Sequence, residues 1–80
     1  MFIYVRFDGE YFEAKTYFSV LKIIQIAIDD IKSKTALPCS IIDERGNAVY
    51  NKKEIIKAIE EYCLRNHIDG EFYTYLWNKN

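Results

Sequence analysis

The sequence predicts one small α+β domain spanning residues 1–80, an antiparallel sheet with two helices on one of its faces in the order β-β-α-β-β-α-β. Three observations predict it. Apolar residues alternate with period two near both ends of the chain. They switch to three- and four-residue steps in two internal segments. The three glycines and the single proline fall between these segments, where turns are needed.

The first strand is "FIYVRF", which sets Ile3, Val5 and Phe7 against Phe2, Tyr4 and Arg6. Asp8-Gly9 is a turn signal. "YFEAK" then alternates Tyr11, Glu13 and Lys15 against Phe12 and Ala14. The two runs read as a hairpin or as one long bent strand. From Thr16 or Ser19 to about Lys34 the stripe Tyr17, Val20, Leu21, Ile24, Ala27, Ile28 and Ile31 predicts a helix. Ile23 lies at its edge and Ile26 outside it. Pro38 cannot continue that helix. "CSIID" and "AVY" read as short strands around the turn "ERGN". Asn51 with Glu54 three residues on forms a capping-box start. The second helix runs to about Asn66, with the stripe Ile55, Ile56, Ile59, Tyr62 and Cys63. Asp69-Gly70 then turns the chain into a last strand, "EFYTYLW".

The portion β-α-β-β-α-β resembles the ferredoxin-like fold in its element order. That resemblance covers nearly the whole chain and implies two helices on one face of an antiparallel sheet. It implies no particular activity, because many functions use this architecture.

Charged residues make up 29% of the chain and apolar ones 50%, the composition of a packed globular domain rather than a disordered one. A net charge of −1 gives no broad field for nucleic acid. "MFIYVRFDGE" lacks the basic start and apolar run of a secretory signal. "VLKIIQIAI" is interrupted by Lys22 and Gln25 and is far too short to span a bilayer. The expected location is the cytoplasm, or a host cell's cytoplasm. Cys39 and Cys63 show no zinc spacing and are expected as free thiols, with a single disulfide as the alternative.

No local motif points to an enzyme, a cofactor or a metal. Cys63 and His67 lie four apart and can meet on one helix face, but no third, orienting group accompanies them. Packing for Cys63 and a helix-end position for His67 account for both. Asp29-Asp30 and Glu60-Glu61 are adjacent on helices and point about 100° apart, so neither pair converges on a substrate. No glycine-rich phosphate loop is present.

The last strand carries the functional question. Phe72, Thr74 and Leu76 share one face, and Tyr73, Tyr75 and Trp77 share the other. If the helices cover Ile3, Val5, Phe7, Phe72 and Leu76, the open face holds Tyr73, Tyr75 and Trp77 beside Phe2, Tyr4 and Arg6. Three aromatic side chains bury roughly 450–750 Å². A standard interface takes about 800 Å² from each partner. Such a row serves as core or as contact surface. The expected partner-binding residues are therefore Tyr4, Arg6, Tyr73, Tyr75 and Trp77. The expected function is a small non-enzymatic protein–protein interaction module, a homodimer or an adaptor or inhibitor of a larger protein. The Ile-, Lys-, Asn- and Tyr-rich composition resembles that of proteins from AT-rich bacteria, archaea or their viruses, so a virus- or mobile-element-encoded inhibitor is one form of this expectation. The alternative is single-stranded nucleic acid stacked on the aromatic face. Against it, "AVY" lacks the basic-glycine-aromatic run that RNA-binding sheets use.

Overall fold

The computed structural model of the protein describes residues 1–71. The expected last strand, with Tyr73, Tyr75 and Trp77, lies outside the described residues. Within them the chain is a small α+β fold. It has four antiparallel strands, β1 (Phe2–Phe7), β2 (Phe12–Tyr17), β3 (Leu37–Ile42) and β4 (Ala48–Tyr50), and two helices, α1 (Val20–Ser33) and α2 (Lys52–Arg65).

β1 and β2 are a hairpin, in register from Phe2 opposite Tyr17 to Phe7 opposite Phe12. Its turn is held by Asp8. The backbone N–H of Asp8 donates to the Tyr11 carbonyl, and the Asp8 carboxylate accepts from the N–H groups of Glu10 and Tyr11, each at 2.8 Å. Gly9 takes φ +106°, which a side chain would resist.

The strand order is β2-β1-β3-β4, which corrects the ferredoxin-like expectation. In that arrangement β4 would fill the gap between β2 and β3, the strands that α1 connects. Here β1 fills it, pairing antiparallel with both. β4 is displaced to the far side of β3. The hairpin explains this. β1 is already bonded to β2 through a four-residue connection, so it reaches the vacant slot at little loop-closure cost.

β3 starts earlier than the sequence suggests and contains Pro38, which lies opposite Arg6. Proline has no N–H for a ladder. The register accordingly shifts between Val5 and Arg6, a bulge in the Pro38–Ser40 stretch that accommodates it. A second irregularity near Val49 shortens β4 to three residues.

Both helices begin on caps legible in the sequence. The Ser19 side chain accepts from the Lys22 N–H, and Asn51 and Glu54 form a reciprocal capping box at 2.9 and 3.0 Å. α1 ends with Lys34 at φ +58°, and the N–H groups of Lys34 and Thr35 return to the carbonyls of Ile31 and Asp30.

The core lies between the helices and one sheet face. Eight of its twelve buried apolar residues are isoleucines, so stiff β-branched side chains dominate the packing. The buried face of α1 is centred on Ile23, Ala27 and Ile31 rather than on Leu21, which is 57% exposed. Ile26, expected as a surface residue, packs half-buried against the core.

Candidate interaction surface

The helices cover the Phe2–Tyr4–Arg6 row of β1, the opposite of the expected arrangement. Tyr4 is 1% exposed and sits in the isoleucine core. Its hydroxyl donates to Oδ2 of Asp30 at 3.0 Å. Arg6 Nη1 donates to Oδ1 of the same carboxylate at 2.8 Å, and Nη2 donates to Glu13 Oε2 at 3.0 Å. Asp30 is itself buried. One carboxylate on α1 thus ties the helix to β1, and Arg6 extends the tie to β2.

This network corrects the placement of Tyr4 and Arg6 on an open aromatic face. Both rows of β1 are apolar enough to face a core. The decisive residue is Asp30, 26 positions after Tyr4, which needs bonded partners once buried. The row that can donate to it therefore turns inward. The Tyr4 ring is enclosed in the core, and the Arg6 guanidinium is paired with two carboxylates.

Electrostatics follow the geometry. Burial, reinforced by the Asp30 carboxylate, raises the Tyr4 phenol far above its ordinary range. Hydrogen bonds to Glu13 and then Asp30 hold the Arg6 guanidinium even more firmly protonated than usual. Arg6 Nε is buried without a hydrogen-bond partner among the described residues. The group is a structural clamp.

The open sheet face carries the other row. Ile3, Val5 and Phe7 alternate with the buried residues of β1, and Phe12, Ala14 and Thr16 stand opposite them on β2. The Phe7 and Phe12 rings are 4.8 Å apart between centroids. Phe12 is nevertheless 70% exposed. Seven large apolar side chains are exposed among the described residues, and four of them, Tyr11, Phe12, Phe18 and Leu21, fall within residues 11–21. These four run from the β1–β2 turn (Tyr11) through the start of β2 (Phe12) and the turn after it (Phe18) to the first turn of α1 (Leu21). β2 is also an edge strand, with β1 as its only strand neighbour among the described residues.

Two other places were candidates for chemistry. Cys63 is buried in the core, and burial pushes its thiol up, away from the reactive thiolate. His67 has left the helix at φ +54° and is exposed. The pair does not form a nucleophile and its base. Cys39 and Cys63 are both free. An open cleft of 560 Å³ lies at the end of the sheet, with Phe7, Ala36 and Leu37 in its wall and Lys34 at hand. In its wall, Oδ1 of Asp8 accepts from the backbone of its own turn. Among the described residues no three His, Cys, Asp or Glu side chains converge as a metal site, and no helix is long and apolar enough to cross a membrane.

The second strand is legible in "YFEAK", but its place at an edge is not. Its edge position depends on sheet order, which no local pattern encodes. The available signal was "YF" directly after the turn and Phe18 directly before the Ser19 cap, three large rings with no place in either stripe. Comparison with protein-family models, curated proteins and solved structures found no match to this chain.

Proposed function

We propose that the protein is a small non-enzymatic interaction module that binds another protein surface through β2 and the open sheet face. One observation carries the reading: four of the seven exposed large apolar side chains among the described residues flank or belong to β2, Tyr11 before it, Phe12 at its start, Phe18 after it and Leu21 in the first turn of α1. Scattered singly, such residues need no explanation. Placed along and around one strand, they offer apolar area for a partner to cover. The aromatic types involved, Phe12 and Phe18 with Tyr11, also offer large area at small rotamer cost. The expected partners are a second copy or a larger protein, for which an adaptor or inhibitor role fits a chain of this size. Tyr73, Tyr75 and Trp77 belong to the same proposal as further contact residues. The single-stranded nucleic acid reading loses ground, because Tyr4 is enclosed and Arg6 is engaged by two carboxylates.

Affinity capture with the wild-type chain and a folded Phe12→Ser variant tests the proposal. A protein, or a second copy, retained by the wild type and lost by the variant supports it. Equal retention by both baits, or none by either, rejects it.

A further inference from the structure

We infer that the occupant of the β2 edge is β2 of a second copy, paired antiparallel about a twofold axis through Ala14. The inference rests on the contact reading above and names the partner and its register.

The hydrogen-bond phase of the hairpin decides which backbone groups of β2 face outward. In an antiparallel ladder, directly opposed residues alternate between bonded and non-bonded pairs. The Asp8 N–H donates to the Tyr11 carbonyl, which sets that pair as bonded. Counting along the register, Arg6–Glu13, Tyr4–Lys15 and Phe2–Tyr17 are then the bonded pairs. The backbone groups of Phe12, Ala14 and Thr16 consequently point away from β1, toward the outer edge. These three residues are spaced symmetrically about Ala14.

A twofold axis joins β2 to itself only in registers centred on a residue. Centred on Glu13 or on Lys15, it sets two like charges directly opposite, which is unfavourable. Centred on Ala14, it sets Ala14 opposite Ala14 and Phe12 opposite Thr16. Glu13 then faces the partner's Lys15, and Lys15 the partner's Glu13. Both cross-strand pairs are opposite in charge, and both lie on the helix-covered side. Their chemistry is available for it: Lys15 makes no ion pair among the described residues, and Glu13 offers Arg6 only its Oε2. The same register places Tyr11 opposite Tyr17 and brings Phe18, 86% exposed, to the two ends of the seam. The result joins the two described four-stranded sheets into one continuous sheet, with the described helices of both copies on one side.

The test uses the full chain. Sedimentation across a concentration series, with amide hydrogen exchange at each concentration, reads both association and register. The expected result is a dimer in which the amides of Phe12, Ala14 and Thr16 gain protection as concentration rises. Ala14→Pro removes one outward N–H on an edge strand, where proline is tolerated, and should weaken association at least about tenfold while the circular dichroism is kept. Lys15→Glu alone should weaken it too. Mixed with Glu13→Lys it should form a heterodimer, since each chain then faces opposite charge. A monomer at every concentration overturns the inference, as does a dimer indifferent to Ala14→Pro. Protection of the three amides independent of concentration also overturns it, because the occupant then belongs to the same chain. A monomer that still captures a protein through Phe12 sinks this inference and leaves the contact reading standing; loss of both sinks both.

Discussion

The seam between α1 and β1 and the outer edge of β2 treat the same problem in opposite ways. At the seam, polar groups are buried, and all but Arg6 Nε are bonded: Tyr4 and Arg6 to Asp30, and Arg6 again to Glu13. At the edge, large rings are exposed and backbone groups stand unpaired among the described residues. Burial of a charge is tolerated only with partners, whereas exposure of a ring leaves area waiting for one. The seam holds the domain together, and the edge is where the proposed contact would form.

Four substitutions would break or sharpen that contrast. The largest effect belongs to Asp30→Ala, which leaves the Tyr4 hydroxyl without its acceptor and takes from Arg6 its buried partner, with Glu13 the one that remains. Breaking a buried pair from one side costs about 3–5 kcal/mol, so urea denaturation should reveal a variant close to unfolding in water. A stable Asp30→Ala would remove the clamp from the account.

Next comes Tyr4→Phe, expected to cost about 1–2 kcal/mol near neutral pH by depriving Asp30 of a donor. It also carries a pH signature. Burial raises the folded-state pKa of Tyr4 above the unfolded one, so the folded chain keeps a proton that the unfolded chain releases near about pH 10. That contribution is complete below this pH and declines above it. Melting temperatures between about pH 8 and 11 should fall more steeply in the wild type than in Tyr4→Phe. The buried Cys63 thiol, also raised, adds a decline of the same sign from about pH 8.5 in both chains.

Smaller, and of opposite sign, is Lys34→Gly. Lys34 holds a left-handed conformation at the end of α1, which glycine adopts without a Cβ penalty. A gain of about 1 kcal/mol in thermal or chemical unfolding is expected. The smallest effect on stability falls to Phe12→Ser. An exposed ring with one aromatic neighbour contributes under about 1 kcal/mol. Its capture of partners should nonetheless be lost. A large stability loss at Phe12, measured by the same unfolding curves, would place that ring in the interior and erase the difference between the two regions.

Much of the local structure was legible from the chain. The Asp8-Gly9 turn, the Ser19 cap and the Asn51–Glu54 box depend on residues two to four apart, and all are present. The stripe of α2 was readable for the same reason, with Ile55, Ile56, Ile59 and Cys63 buried. The candidate site was less legible. Tyr4 and Arg6 were assigned to the open face because their row is more polar than Ile3, Val5 and Phe7. Local alternation compares two rows of one strand but contains no information about a carboxylate 24 residues beyond Arg6.

Periodicity and capping are short-range effects, so the elements from β1 to α2, their caps and the α+β class could be read from the chain alone. Three things required the packed chain: that β1 takes the slot between β2 and β3, that Tyr4 and Arg6 face the helices, and that β2 stands at an edge of the sheet among the described residues. Each depends on which distant groups satisfy one another. A ladder, a buried carboxylate and a row of rings can each be completed in more than one way until the whole chain has packed.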